Sequence, residues 1–229
     1  MRETRGYIFD YGGTLDTGGC HWGKTIWHAY QQVGVPVGEA QFREAYVYAE
    51  RMLGRNPIIR PDFTFRQTLE EKLRIEMDYL GLTGYADAVV ANCYERTLTS
   101  TAHSREILRQ LRQTYQMVLV SNFYGNMPTV LREFGFDGLF AQVVESAVVG
   151  IRKPDSRIFQ LGVEALGLQP CEVTVVGDSI EKDIIPARNA GCQTVWLRGE
   201  QWTDGAVDAS LADCVIDDLS EIITNLKTS

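Results

Sequence analysis

Three acids, a lysine and a hydroxyl stand where short apolar runs of this chain end. Asp10 follows Tyr7-Ile8-Phe9, Ser121-Asn122 follows Met117 to Val120, Lys153 lies beyond Val143-Val144, and Asp178 and Asp183 follow Val173 to Val176. If the runs are parallel strands, ligands bind outside their carboxyl ends and these side chains converge on one edge. Three acids left alone there would repel and raise each other's pKa values. A divalent cation together with Lys153 would neutralise them, and all-oxygen ligands with retained waters suit Mg²⁺. An anion is then needed to match Lys153, Ser121 and the backbone N–H groups of the Gly12-Gly13-Thr14 turn. A phosphate monoester fits that need best.

The runs are mostly continuous rather than alternating, as in strands buried on both faces of a parallel sheet. A fifth, Thr194 to Leu197, follows Gly191, and a weak sixth, Cys214 to Ile216, precedes a helical pattern holding Leu219, Ile222 and Ile223. Helical spacing also joins Ile107, Leu108 and Leu111, then Ile158, Leu161, Ala165 and Leu166, then Ala187 and Ala190. Strands alternating with helices predict an α/β fold with a Rossmann-like parallel sheet. The first connection breaks this rhythm. It spans roughly a hundred residues, where a crossover needs only about a dozen. Its helical patterns cover about 22–33, 39–53, 64–80 and 84–99. The expectation is a core domain of residues 1–16 and 103–229 and an all-helical domain of residues 17–102. Gly18-Gly19 would give the inserted domain freedom to open and close.

Composition narrows the partners. With 45% hydrophobic residues in 229, disorder is not the default. Thirty acids against 22 bases, net −8, disfavour a nucleic-acid or acidic-membrane binder. No apolar run approaches the roughly 18–20 residues of a membrane span, and Met1 to Arg5 leads into a strand-like run without a signal-peptide core. The five cysteines are odd in number and scattered, which reads as reduced thiols. A cytoplasmic protein, monomer or homodimer, with a small phosphorylated partner is expected.

The motifs resemble those of the haloacid dehalogenase superfamily. Phe9-Asp10-Tyr11-Gly12-Gly13-Thr14-Leu15 is similar to its motif I, where the phosphatases carry Asp-x-Asp-Gly-Thr. Val118-Leu119-Val120-Ser121-Asn122 resembles motif II, Arg152-Lys153-Pro154-Asp155 motif III, and Val175-Val176-Gly177-Asp178-Ser179-Ile180-Glu181-Lys182-Asp183 motif IV. The helical insertion resembles the type-one cap of subfamily I. Four motifs in order, each at a strand end, make the likeness specific. The resemblance implies a Mg²⁺-dependent hydrolase in which Asp10 is the nucleophile, forming an aspartyl-phosphate and binding metal. It implies that Ser121 and Lys153 are catalytic, and that Gly13, Thr14, Ser121, Asn122 and Lys153 hold the phosphate. Asp178 and Asp183 would serve the metal, with Gly12 adding its carbonyl. Pro186, tolerated in a first helical turn, places Asp183 just before a helix.

Gly12 departs from the pattern. The superfamily's phosphatases have there an aspartate that protonates the leaving oxygen and then activates water. Losing such a group typically costs about 10²–10⁴ in rate. Asp16, or His21 beyond the paired glycines, could supply the proton instead. Alternatively the phosphoenzyme hydrolyses slowly, with substrates whose leaving group needs no acid. Related ion pumps and phosphonate-cleaving members also lack the second aspartate. Dehalogenation of a 2-haloacid disagrees with the metal-binding form of motif IV, and the dehalogenases carry a tyrosine at the position of Gly12, whereas here the tyrosine is Tyr11. Phosphonatase chemistry needs a cap lysine for an imine; the cap offers Lys24 and Lys72, while Glu50-Arg51-Met52-Leu53-Gly54, which resembles that cap weakly, offers arginine. The last reading is a catalytically impaired fold that binds a phosphorylated ligand or a protein partner. In the cap, Trp27 and Tyr30 read as core, and Arg51, Arg55, Arg60 and Arg66 as either a solvated face or a grip on a second anion.

Overall fold

The apolar runs become one parallel sheet of β1 (Gly6–Phe9), β2 (Gln116–Ser121), β3 (Gln142–Glu145), β4 (Val173–Gly177), β5 (Gln193–Leu197) and β6 (Cys214–Ile216), in the order β3-β2-β1-β4-β5-β6. A computed structural model describes residues 3–203, 205 and 207–226; residues 1–2, 204, 206 and 227–229 of the expected core span lie outside the described residues. Every residue of β1, β4 and β5 is buried, which is why these runs are apolar without alternation. Tyr7, Phe9, Met117 and Leu119 feed one apolar cluster, while Ile8, Val118 and Val120 feed another on the opposite face.

Four helices fill the long first connection: α1 (Trp22–Val33), α2 (Glu39–Arg55), α3 (Phe65–Leu80) and α4 (Ala86–Leu111). α5 (Met127–Glu133) follows β2; α6 (Ser146–Val149) and α7 (Arg157–Leu166) follow β3; α8 (Ile185–Asn189) follows β4, and α9 (Glu221–Leu226) follows β6. The patterns over 84–99 and 107–111 are one helix, because nothing in residues 86–111 is Gly or Pro. Residues 102 and 103, the expected domain boundary, therefore lie inside α4 rather than in a linker. The helix packs with α1 and α3, and Ile107, Leu108 and Leu111 near its end are buried in the cluster that also contains Tyr7 and Phe9. No helix among the described residues is long and apolar enough to cross a membrane.

Two core segments grip the helical insert. After β5, the ring of Trp202 lies 4.9 Å from Tyr46 and 5.3 Å from His21, under the Arg43 guanidinium at 4.3 Å. In the same segment the His21 N–H donates to the Glu200 carbonyl at 2.8 Å, and His28 Nε2 pairs with the Glu200 carboxylate at 2.6 Å. Gly199 packs so close to Gly19 that a Cβ on it would stand 2.3 Å from the Gly19 carbonyl oxygen. On the other side Asn126 Nδ2 donates to the Phe63 carbonyl and to the Thr68 hydroxyl, both at 2.9 Å.

The sheet's other face is sealed by α7, whose Gly162 lies flat on β1 and β2. A Cβ there would meet Ile8 Cδ1 at 2.8 Å and Val120 Cγ2 at 2.9 Å. Gly162→Val should therefore cost about 1–3 kcal/mol through overpacking. Urea unfolding measures it; an unchanged midpoint would show that the helix does not press on the strands that carry the site.

Candidate active site

β1 is the strand from which the order runs outward both ways, β2 then β3 on one side and β4 to β6 on the other. Its carboxyl end is the crevice where a parallel sheet offers a binding site. Asp10 is the first residue beyond it, its N–H donating to the Val176 carbonyl at 3.0 Å. Ser121 ends β2, and Asp178 follows β4 directly. Asp183 comes from the π-turn Ile180–Ile184 that leads into α8.

Lys153 joins them. Its Nζ donates to Asp10 Oδ1 at 2.5 Å and to Asp183 Oδ1 at 2.7 Å, with all three side chains buried. The backbone of Lys153 is clamped in turn by Asn122, whose Nδ2 donates to the Lys153 carbonyl at 3.1 Å and whose Oδ1 accepts its N–H at 2.9 Å. Asp183 Oδ2 accepts the Ser179 N–H at 3.1 Å, and Asp178 Oδ1 accepts the Thr14 hydroxyl at 3.1 Å. The Asp178 carbonyl accepts from Trp196 Nε1 at 2.8 Å. Two glycines make this closeness possible. A Cβ on Gly13, which has φ of 100°, would stand 2.4 Å from Asp178 Oδ2, and one on Gly177 would stand 2.4 Å from the Asp183 Cβ.

Carboxylate oxygens of Asp10, Asp178 and Asp183 lie within 4.8 Å of one another. One ammonium faces three acids. Burial pushes Asp10 up, against the pull of Lys153. Asp178 is pushed up further, by burial first and then by Asp183 and Asp10. Hard oxygen donors in excess of their counter-charge suit a divalent cation such as Mg²⁺, which would restore the balance. The cluster opens on a cavity of about 140 Å³ whose lining includes Gly12, Ser121, Asn122 and Lys153 as well as the three acids.

Other expected site residues are engaged elsewhere. The Gly13 N–H donates to Asp16 Oδ1 at 2.7 Å, and the Thr14 N–H to the Tyr11 carbonyl at 3.2 Å. Neither residue is in the cavity lining, so these two N–H groups serve the turn rather than an anion. Asn122 spends its amide on Lys153. Asp16 is fully buried, also accepts Trp22 Nε1–H at 2.8 Å, and is pushed up to about 7 by burial, yet it too stays out of that lining. His21 does reach the cavity, but its Nδ1 accepts the Gly23 N–H at 3.0 Å to cap α1. Burial, with Lys182 and Lys72 nearby, pushes its pKa down to about 3, so it carries no acidic proton at neutral pH. Tyr11 points into the apolar core beside Phe123 and Phe136. Arg51, Arg55, Arg60 and Arg66 are exposed and outside the lining, a solvated face.

The wall from the helical insert holds what the motifs did not reveal. Tyr46 and Glu50, one turn apart on α2, face Phe65, Thr68, Leu69 and Lys72 on α3, with Tyr124 and the rim cations Arg152 and Lys182 on the core side. The spacing 65, 68, 69, 72 marks one helical face in the sequence. What that face meets is a tertiary fact.

The sequence model of the haloacid dehalogenase-like hydrolases matches residues 4–191. Phosphoglycolate phosphatase of Vibrio vulnificus is 28% identical over 97% of this chain and 96% of its own. Glyceraldehyde 3-phosphate phosphatase of Pyrococcus furiosus is 32% identical over 40% of this chain, which spans 38% of that relative. Phosphoserine phosphatase of Thermus thermophilus is 45% identical over 25% of this chain and 23% of its own. Among solved structures, the HAD-hydrolase YfnB of Bacillus subtilis, bound to magnesium, superposes with a TM-score of 0.60 at 16% identity, covering 99% of this chain and 100% of that one. A HAD phosphatase from Thermococcus onnurineus gives 0.59 at 21%, covering 97% and 98%. These two likenesses are of fold.

A cluster short of positive charge should weaken the metal-free protein. Folded-state pKa values raised above the ordinary carboxylate range mean that the native chain binds more protons than the unfolded one. Stability then falls as pH rises above about 4. Asp178→Asn keeps an acceptor for Thr14 and removes one charge. In EDTA near pH 7 it should therefore melt above the parent, its advantage growing by at most about 1.4 kcal/mol per pH unit and vanishing near pH 4. A variant less stable than the parent near pH 7 would contradict the charge imbalance.

Proposed function

The chain belongs to the haloacid dehalogenase-like hydrolases, and from that premise we propose that it is a Mg²⁺-dependent phosphatase of small phosphorylated metabolites, acting through an aspartyl-phosphate on Asp10. The observation that carries this reading is the buried Lys153 ammonium held between Asp10 and Asp183, with Asp178 beside them, at the mouth of one cavity. In this reading residues 17–102 are a cap over a cytoplasmic core enzyme of residues 1–16 and 103–229. Cavity size favours substrates with few atoms beyond the phosphoryl group. The near full-length relative named for phosphoglycolate puts small phosphorylated acids first among them.

Asp10 would attack phosphorus in line with the departing oxygen. The attacking oxygen forms the new bond to phosphorus while the electron pair of the old one stays on the leaving oxygen. Lys153 both aims Asp10 and offsets charge on the transferring group. Ser121, in the cavity lining, is placed to donate to a phosphoryl oxygen, and Asn122 acts as a positioning residue through the backbone of Lys153. Asp10, Asp178 and Asp183, with the Gly12 carbonyl, would hold the metal, whose chemistry is charge neutralisation at the phosphoryl oxygens. Water then attacks phosphorus and regenerates the Asp10 carboxylate.

No carboxylate stands at position 12, and neither expected surrogate fills the gap, since His21 is an uncharged helix cap and Asp16 faces the turn. This favours turnover of compounds whose leaving group needs little protonation, with slow release of the phosphoenzyme. It also keeps alive the reading of an impaired enzyme that binds a phosphorylated ligand. Imine chemistry is disfavoured because burial, which lowers the Lys72 pKa, is outweighed by the Glu50 carboxylate beside it and the further acids nearby, so the net shift is upward and favours the ammonium. Dehalogenation is disfavoured by Tyr11, which is packed in the core.

Gly12 itself permits a direct test. Its φ is outside the left-handed region, and an added Cβ would meet only Trp22, at 3.8 Å. Gly12→Asp should raise Mg²⁺-dependent hydrolysis of an alkyl phosphate by about 10²-fold or more. Steady-state assay of a phosphorylated-metabolite panel checks it. A folded variant that, like the parent, turns over no substrate would point to a binding role, whereas no gain over an active parent would point to another group already serving the leaving oxygen.

A further inference from the structure

We propose that Lys72 stabilises the leaving oxygen of phosphoryl transfer by donating a hydrogen bond to it, compensating for the carboxylate missing at Gly12; this assignment rests on the phosphatase reading. Attacking and leaving oxygens lie on opposite sides of phosphorus. With Asp10 at the sheet edge, the leaving oxygen points to the wall built by α2 and α3. Lys72 is the cation those two helices contribute to the lining. In a cavity of about 140 Å³, a group on that wall is never far from a phosphoryl group seated at Asp10.

The surroundings of Lys72 fit a fixed donor. Its side chain is buried and its Nζ is paired with the Glu50 carboxylate, which also accepts the Tyr124 hydroxyl at 3.1 Å. The face of Tyr46 lies 4.1 Å from the same Nζ. An ammonium has three N–H groups, and a carboxylate and a ring face account for two directions. Glu76, one turn further along α3 and wholly buried, adds a second acid behind it. Buried ion pairs seldom add stability, so one kept in a cavity wall calls for another role. Here the ammonium cannot easily lose its proton, which suits a group that steadies charge rather than transferring a proton. As the bond from phosphorus to the leaving oxygen breaks, both electrons stay on that oxygen. It accepts the Lys72 hydrogen bond and later takes its proton from water.

Leaving-group dependence separates this role from simple binding. Acetyl phosphate expels a stable anion, whereas ethyl phosphate expels a basic alkoxide. Lys72→Met alone leaves Glu50 buried and unpaired, so the double variant Glu50→Gln/Lys72→Met, with an uncharged and filled wall, is made beside it. In the metal-loaded full chain, the double variant should lose about 10²-fold or more in kcat/KM for ethyl phosphate, and less than about threefold in the rate at which acetyl phosphate adds covalent phosphate to Asp10, read by intact mass. Lys72→Arg should recover most of the ethyl phosphate activity. Equal losses on the two substrates, or no loss on either, would overturn the assignment. So would a parent protein that acetyl phosphate labels but that never turns over ethyl phosphate. No covalent phosphate on the parent at all would instead remove the aspartyl-phosphate reading, and this role with it.

Discussion

One ammonium among three buried carboxylates governs this molecule. Lys153 reaches Asp10 and Asp183 together, while Asp178, within 4.8 Å of them, makes no salt bridge among the described residues. Burying an unbalanced set of charges is costly unless partners or a metal offset it. The surrounding structure reads as the means of holding that set in place. Gly13 and Gly177 remove the two Cβ atoms that would keep the acids apart, Asn122 fixes the Lys153 backbone, and Trp196 holds the Asp178 carbonyl. The sheet order brings β2 and β4 to either side of β1, so residues more than a hundred positions apart meet at its end.

The helical insert completes the enclosure and is not loosely attached. Trp202 and Glu200, from the segment after β5, grip α1 and α2, while Asn126, after β2, grips the start of α3. Gln201 of the first segment also donates to the Asp178 carbonyl at 3.3 Å. Opening of the insert would thus disturb a contact that reaches the acid cluster. Gly18 and Gly19, both at positive φ, lead the chain into the insert, and these side-chain contacts hold the insert against the core.

Asp10, Ser121, Lys153, Asp178 and Asp183 could be picked out of the sequence because each follows an apolar run, and strand ends are where a parallel sheet exposes function. The finer roles could not. Whether the Gly13 N–H faces an anion or the Asp16 carboxylate depends on how the turn closes, and here Asp16 takes it. Asn122 beside Ser121 looks like a second ligand, but its amide matches the Lys153 backbone instead. Glu50 and Lys72 lie on different helices, 22 residues apart, and nothing in the sequence pairs the weak cap-like stretch at Glu50 with the lysine at 72. Only the packing of α2 on α3 puts them on one wall. Two helical patterns fused into α4 because a propensity signal marks breakers, and residues 86–111 contain none.

The central claim is that this acid cluster is a phosphoryl-transfer centre built on Asp10. A crystal structure grown with Mg²⁺ and beryllium fluoride, a mimic of the phosphorylated aspartate, tests it most directly. The account predicts a beryllium fluoride group bonded to the Asp10 carboxylate, Mg²⁺ ligated by Asp10 and Asp178, and Lys153 in contact with the fluorides. Mg²⁺ bound elsewhere, or a cluster that takes up neither ion at saturating concentration, would contradict it.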